Sequence, residues 1–117
     1  MTLMRVTTTF DEGDRVTLAV SGELVLDTAD RLAGAITAVL AGPGCGRLVV
    51  DLGQVTFLDM AGLNVLLRGR VAARRAGVSL RICEPQPRVR RVLEITGTYG
   101  LLAGGRDSRT ATVGAVT

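Results

Sequence analysis

The segment Asp59–Leu63, which reads DMAGL, contains the carboxylate that is best placed to do chemistry in this sequence. Asp59 directly precedes a stretch whose apolar residues recur at helical spacing. A carboxylate at that position accepts hydrogen bonds from the first backbone N–H groups of a helix. The next two residues, Met60 and Ala61, carry no hydroxyl and cannot accept a phosphoryl group. The segment therefore indicates a capped helix start that carries no phosphate acceptor.

Nucleophilic catalysis has no group of residues to support it. The sequence has no His, and no Cys or Ser stands beside a plausible general base. Neither of the glycine-rich phosphate-binding patterns, GxxxxGK[ST] and GxGxxG, is present. We therefore expect a protein that is not an enzyme and that needs no cofactor.

Cys45 and Cys83 are expected to be free thiols. Their spacing and the absence of His do not fit a metal site. Cys45 precedes one predicted strand and Cys83 follows another, and a helix between these strands makes them parallel. The two cysteines then lie at opposite ends of the sheet, about 15–20 Å apart. A disulfide needs Cα atoms within about 7 Å, so an intrachain bridge is not expected.

The composition is that of an ordinary globular domain. Of its 117 residues, 47% are hydrophobic and 21% are charged, which predicts one domain with its own core. No segment approaches the roughly 18 apolar residues of a membrane span. The N-terminal residues also lack the pattern of a secretion signal. We expect a cytoplasmic protein that does not insert into a membrane.

The basic residues, all of them arginine, raise the question of nucleic-acid binding. Two groups fall on predicted helices: Arg68, Arg70, Arg74 and Arg75, and then Arg88, Arg90 and Arg91. A net charge of only +3 and three aromatic residues (3%) argue against a nucleic-acid surface. We expect solvated helix faces, with some arginines paired to Glu84 and Glu94, and no direct contact with nucleic acid.

Hydrophobic periodicity predicts an alternation of strands and helices. The predicted elements are strands at 4–10 and 15–20, a helix starting at Asp27 or Thr28, a strand at 47–51, a helix at 60–76, a strand at 78–82 and a helix at 88–95. The residues at 51–54 are predicted to be a polar break between two apolar patches. In the second helix, the inward residues are predicted to be Leu63, Leu66, Leu67 and Val71.

This order predicts an α/β fold. A mixed central sheet opens with an N-terminal β-hairpin, and the helices pack against it. A single domain is expected over residues 1–117, with its core at about 4–102. Residues 103–117 are expected to form an edge strand, at 110–113, or a flexible tail.

The chain resembles the STAS domain family, the anti-sigma factor antagonists of bacteria. Residues 21–24 (SGEL) are similar to the family pattern (Thr/Ser)-Gly-Glu-(Leu/Ile), and residues 93–102 are similar to its helix followed by Gly-Leu. The DMAGL segment is similar to the family loop Asp-Ser-(Ser/Thr)-Gly-Leu, in which the serine is the regulatory phosphorylation site. Met60 and Ala61 stand at the two hydroxyl positions, so no phosphorylation site is expected here. Val25 replaces an aspartate that the family often carries.

The resemblance implies a protein-binding regulatory domain. Members of the family bind an anti-sigma factor, a serine kinase with the fold of histidine-kinase ATPase domains, and so release a sigma factor. We expect that role here without the serine switch. The residues expected to bind the partner are Val25, Leu26, Asp27, Thr28, Asp59, Met60, Ala61, Gly62 and Leu63. Within this set, Val25, Leu26 and Met60 are expected to form an apolar docking site at one end of the sheet.

Other interpretations of the same residues stay open. Met60 and Ala61 are also explained as first-turn helix residues that tolerate exchange, and Asp59 as a simple N-cap. The resemblance also allows a STAS accessory subunit of a lipid-transport ABC system, which would bind an ATPase, or a scaffold subunit of a stress-signalling complex. The sequence leaves the identity of the partner and the oligomeric state open.

Overall fold

The chain opens its sheet with a hairpin, as the alternating residues predict. A computed structural model describes residues 3–104. Its elements are β1 (Met4–Phe10), β2 (Arg15–Leu24), α1 (Ala29–Ala41), β3 (Arg47–Leu58), α2 (Met60–Arg75), β4 (Ser79–Cys83), α3 (Pro87–Ile95) and α4 (Tyr99–Ala103). The strands lie in the order β1-β2-β3-β4; β1 is antiparallel to β2, and the other two pairs are parallel. The predicted α/β fold with a mixed sheet is confirmed.

The core lies on one face of the sheet. Along β2, Val16, Leu18 and Val20 are buried, whereas Ala19 between them is exposed. This period of two leaves the opposite face of the strand open to solvent. On the covered face, the strands pack against buried residues of α1, α2 and α3 in one hydrophobic cluster.

Strands β2 and β3 extend further than predicted. Residues 21–24 belong to β2, and the predicted polar break at 51–54 lies inside β3. Two register shifts in the pairing of β3 with β2 place extra residues on β3. Because each shift resets the alternation of side chains, the buried residues Leu52, Val55 and Leu58 recur every three positions. Alternation with a period of two therefore predicts only the first part of β3 and misses its second half.

Helix α2 has an inward face made partly of small residues. Leu63 and Leu66 are buried and Leu67 is partly buried, as predicted, but Val71 is 46% exposed and that prediction was wrong. Gly69 takes an inward position instead: a Cβ there would stand 2.8 Å from Cδ1 of Ile36 on α1. The close approach of α1 therefore selects a small residue on this face, which hydrophobic periodicity does not detect.

The remaining elements lie close to their predicted positions. Helix α1 begins after Thr28, and α3 buries Val89 and Leu93. Helix α4 was not predicted as a helix, and its five residues are too few to show a period of 3.6. The predicted edge strand at 110–113 lies outside the described residues. Within residues 3–104, every helix is too short or too polar to cross a bilayer.

Both cysteines are free, as predicted. Cys83 is the register partner of Asp51 on β3, whereas Cys45 precedes the first residue of that strand. The two residues therefore sit near opposite ends of the parallel strands. Partial burial raises the pKa of both thiols above the usual value, so neither is an activated nucleophile.

Candidate functional site

The two sequence segments expected to bind a partner leave the sheet side by side. Leu24, the last residue of β2, is the register partner of Leu58, the last residue of the parallel strand β3. The loop at 25–28 and the start of α2 at 59–63 therefore emerge at the same end of the sheet. The structure thus brings together residues that are more than 30 positions apart in sequence.

Asp59 connects these two segments. One carboxylate oxygen, Oδ1, accepts a hydrogen bond from the backbone N–H of Gly62 at 2.9 Å, which caps α2. The other, Oδ2, accepts from the backbone N–H of Leu26 at 3.1 Å. The capping role was predicted from sequence, but the bond to the neighbouring loop depends on the pairing of β2 with β3. A single side chain therefore holds both the helix start and the loop.

Thr28 supports the loop from below. Its side chain is buried, and its hydroxyl donates to the carbonyl oxygen of Glu23 at 2.6 Å. The Thr28 hydroxyl oxygen also accepts a hydrogen bond from the backbone N–H of Val25 at 3.0 Å. Although Thr28 is the N-cap residue of α1, its side chain makes no capping bond to that helix. The hydroxyl stabilises the turn before the helix, and it does not reach the surface.

Gly62 and Leu63 face the core. Leu63 is 1% exposed, and Gly62 packs against the end of β2 so closely that an added Cβ would collide with the carbonyl oxygen of Leu24. Ala61 is half-buried. Of the DMAGL segment, only Met60 presents a large, well-exposed side chain. The requirement for glycine therefore comes from packing inside this chain.

Three apolar side chains are exposed around Asp59. Leu26 is 74% exposed, Met60 57% and Phe57 44%. Leu26 is hydrogen-bonded to Asp59, and the other two stand within two residues of it in the chain. We call these three residues the apolar end surface. Val25, predicted as part of this surface, is half-buried, and Asp27 is exposed.

Phe57 was not predicted as a surface residue. In the sequence it belongs, with Val55 and Leu58, to the apolar patch that follows the predicted polar break at 51–54. After the second register shift, it stands beside Glu23 on β2 and turns away from the buried Leu58. The available signal in the sequence was that Phe57 directly precedes Leu58, because neighbouring residues of a strand face opposite sides. Which of the two faces solvent follows only from the register shift.

The arginine groups make few ion pairs. Arg90 donates to Glu94 at 3.0 Å, and its guanidinium lies 4.5 Å from the centre of the Tyr99 ring. This hydrogen bond to Glu94 raises the pKa of Arg90 above its usual value. The predicted pairing with Glu94 is thus present, whereas Glu84 forms no ion pair within residues 3–104.

Comparison with known families identifies this arrangement. The family model described as "Mlab, STAS domain" matches residues 8–103, which include the strands β2, β3 and β4, the helices α1 and α2, and the DMAGL segment. The chain belongs to the STAS domain family. The family resemblance inferred from residues 21–24, 59–63 and 93–102 is therefore confirmed.

Relatives of this STAS domain are named as anti-sigma factor antagonists. A putative anti-sigma factor antagonist, BtrV, of Bordetella bronchiseptica is 36% identical over 67 residues, covering 56% of this chain and 58% of that protein. The anti-sigma F factor antagonist of Paenibacillus polymyxa is 27% identical over 82 residues, 70% of each chain. The matched stretch thus spans less than two thirds of the Bordetella protein.

A solved structure with the same fold carries a similar name. The crystal structure of an anti-sigma factor antagonist from Mycobacterium paratuberculosis superposes with a TM-score of 0.72 at 27% identity. The superposition covers 92% of this chain and 88% of the other. The similarity therefore extends over most of both chains.

Proposed function

We propose that this STAS domain is an anti-sigma factor antagonist that binds an anti-sigma factor, a serine kinase of the histidine-kinase ATPase fold, and so releases a sigma factor. The observation that carries the proposal is the apolar end surface, held in place around Asp59. The names of the relatives support the same role. Val25, Asp27, Ala61 and the apolar end surface are the proposed contacts, while Thr28, Gly62 and Leu63 support them from inside.

The surface suits a partner that closes over it and excludes water. Leu26 and Met60 are large apolar side chains that are more than half exposed, at a place where the backbone is held by Asp59. Burying apolar area stabilises a complex by about 25 cal/mol per Å², and methionine adapts its shape to varied surfaces. Because the loop is already hydrogen-bonded, binding would order few additional backbone groups.

We also propose that this domain stays competent to bind in the presence of the kinase. A phosphate on residue 60 or 61 would add about −1.5 to −2 charges at neutral pH beside the carboxylate of Asp59, and the repulsion would oppose binding. Met60 and Ala61 offer no oxygen for that phosphate. Thr56 is the nearest hydroxyl; its side chain is exposed, but its backbone lies within β3. A kinase would have to extract that strand residue, so we expect no modification.

The first experiment asks which partner the domain takes. The full chain, tagged and expressed in its native host, is used to capture proteins from lysate, which are identified by mass spectrometry. We expect a kinase-fold anti-sigma factor. Recovery of the ATPase of a lipid-transport ABC system, with no anti-sigma factor, would contradict the proposal and favour the accessory-subunit alternative.

The second experiment tests the surface with Met60→Asp. An unpaired carboxylate in a closed apolar interface is costly, so we expect the affinity for the captured partner to fall a hundredfold or more. The fold should be nearly unaffected, since an acidic residue is favoured in the first turn of a helix by about 0.3–1 kcal/mol. Isothermal titration calorimetry measures the affinity, and urea unfolding measures the stability.

The matched control is Val71→Asp. Val71 is exposed on the same helix, about 16 Å further along its axis, and we expect it to leave the affinity unchanged. Equal affinity of wild type and Met60→Asp would place the interface elsewhere, and the arginine-bearing faces of α2 and α3 would be the next surfaces to test.

The third experiment tests the missing switch. Wild type is incubated with the captured kinase and ATP, and its intact mass is expected to stay the same. Met60→Ser should bind nearly as well as wild type and gain one phosphate if the kinase still recognises the loop. A stoichiometric phosphate on Thr56 of the wild type would overturn the proposal of a switch-free antagonist.

A further inference from the structure

The outer edge of β1 exposes a row of backbone hydrogen-bonding groups. Strand β1 is the first strand of the sheet, with a neighbour on one side only among the described residues. The backbone N–H of Glu23 donates to Leu3, and that of Asp11 donates to Arg15. In an antiparallel pair, residues whose backbone groups bond to the partner strand alternate with residues whose N–H and C=O groups point away from it. Odd-numbered residues of β1 therefore bond to β2, and Val6, Thr8 and Phe10 direct their N–H and C=O groups outward.

The two edges of the sheet are built differently. Strand β4 is five residues long, packs against α2 and α4, and is followed by Glu84 with a φ of 58°. Strand β1 has seven residues, pairs with β2 without a register shift, and contains no proline. Its last residue, Phe10, is 77% exposed. Edges of globular proteins are usually protected by short length, bulges, proline or inward charges, and β1 lacks these features.

One position of this edge is already occupied. The guanidinium of Arg31 on α1 donates from Nη1 to the carbonyl oxygen of Met4 at 3.0 Å. This bond satisfies the outward acceptor at the start of β1. Among residues 3–104, the part of the edge that stays open to another strand is therefore the segment from Val6 to Phe10.

From this edge we infer that the chain forms a homodimer in which two copies of β1 pair antiparallel, with Thr8 facing Thr8 on the two-fold axis. This register places complementary side chains opposite each other. Val6 faces Phe10, Thr7 faces Thr9, and Arg5 faces Asp11. Apolar pairs, threonine pairs and opposite charges are the cross-strand combinations that stabilise antiparallel strands.

The backbone fits the same register. Val6, Thr8 and Phe10 of each copy would meet Phe10, Thr8 and Val6 of the other, which gives about six hydrogen bonds when each such pair exchanges two. The register shifted by two residues toward the N-terminus would pair Phe10 with Met4, whose carbonyl Arg31 occupies. The register shifted the other way would lose the pairs formed by Val6.

The opposite charges support the choice of a second copy as the partner. Arg5 is exposed, and the contacts of Asp11 with Arg15 and Thr17 both use Oδ2. Its Oδ1 is directed at neither group, and a partner's arginine placed opposite would pair with it. The self-complementarity of residues 5–11 thus rests on charge as well as on side-chain type.

The first test is sedimentation velocity of the full chain over a range of concentrations. We expect wild type to shift from monomer to dimer. Thr8→Pro removes the N–H at the axis from both copies and should weaken dimerisation at least tenfold. Because that N–H points away from β2, proline is tolerated there. Circular dichroism checks the fold. A wild type that stays monomeric, or a folded Thr8→Pro that dimerises equally well, would overturn the inference.

The second test fixes the register and does not depend on that variant. In a Cys45→Ser/Cys83→Ser background, Thr8→Cys should form a disulfide-linked dimer under mild oxidation, because paired Cα atoms lie about 5.5 Å apart. Phe10→Cys, on the same face but about 14 Å from its copy, should stay monomeric on a non-reducing gel. Equal cross-linking at both positions would contradict the register. Neither test uses an anti-sigma factor, so its outcome is independent of the proposed function.

Discussion

Two helices begin next to each other at one end of the sheet, and the residues at their N-termini are used differently. Thr28 precedes α1, and its buried hydroxyl bonds back to the turn before it. Asp59 precedes α2, and its carboxylate bonds forward to Gly62 and across to Leu26. The start of α1 is therefore fixed from inside, whereas the start of α2 is held from its surface.

The two helices also differ in how exposed their first residue is. Ala29, the first residue of α1, is 5% exposed, and Met60, the first residue of α2, is 57% exposed. Only α2 presents a large apolar side chain at its first position. The comparison indicates that the end of the sheet has an architectural half around Thr28 and a presenting half around Asp59. Substitutions in the two halves should therefore separate stability from binding.

The largest expected effect comes from Gly62→Ala, where the two halves touch. An added Cβ would meet the backbone carbonyl of Leu24 and stand 2.8 Å from Cδ1 of Leu58. Overpacking of this kind costs about 3 kcal/mol of unfolding free energy, because a backbone atom cannot move aside cheaply. Urea unfolding monitored by circular dichroism measures the loss.

Gly34→Ala is the matched control for that substitution. Gly34 lies within α1, and a Cβ there would have no atom within 4 Å. Alanine in a helix interior stabilises by about 0.5–1 kcal/mol relative to glycine. If both alanine variants shifted the stability in the same direction, close packing between α2 and β2 would not explain the glycine at position 62.

A smaller loss is expected from Thr28→Val in the architectural half. The change keeps the shape of the side chain but leaves the N–H of Val25 and the carbonyl of Glu23 without the hydroxyl. Removing a buried partner costs about 1–3 kcal/mol. The control is Thr56→Val on β3: Thr56 is exposed, its hydroxyl is 3.4 Å from the oxygen of Gly22, and we expect a change within about 0.5 kcal/mol. Equal losses would mean that burial of Thr28 has no particular consequence.

The smallest stability effect is expected from Asp59→Ala in the presenting half, at about 1 kcal/mol for the lost cap. Asp59→Asn keeps one acceptor oxygen and replaces the other with an N–H donor, so it cannot hold both Gly62 and Leu26. We expect it to lose less stability than alanine, yet to bind the partner measurably more weakly than wild type. Unfolding and calorimetric titration together check this. Unchanged binding by both variants would show that the loop needs no support from Asp59.

Features that depend on neighbouring residues in the chain were predictable. The hairpin of β1 and β2 follows from alternation around a turn, and α3 follows from the spacing of Val89 and Leu93 after a proline. The N-cap role of Asp59 needs only the first turn of its own helix. Each of these features depends only on residues that are close together in the chain, so the sequence of that segment is enough to predict it.

Features that depend on a second segment were not predictable. Val71 has the spacing of an inward residue, but no element of the described residues covers it, and it is exposed. The continuous strand β3 and the exposure of Phe57 follow from two shifts in pairing with β2. A register shift is set by both strands together, so neither sequence segment alone encodes which residues turn outward.

The sequence by itself determined the STAS fold, the capped start of α2 and the absence of a phosphate acceptor in the DMAGL segment, because each follows from residue types at fixed local spacing. The tertiary structure alone decided that Asp59 holds Leu26, that Thr28 is buried beneath the loop, and that Gly62 packs against β2. The physical reason is the parallel pairing of β2 and β3. It brings the ends of two strands together and makes one carboxylate a shared acceptor for two distant backbone groups.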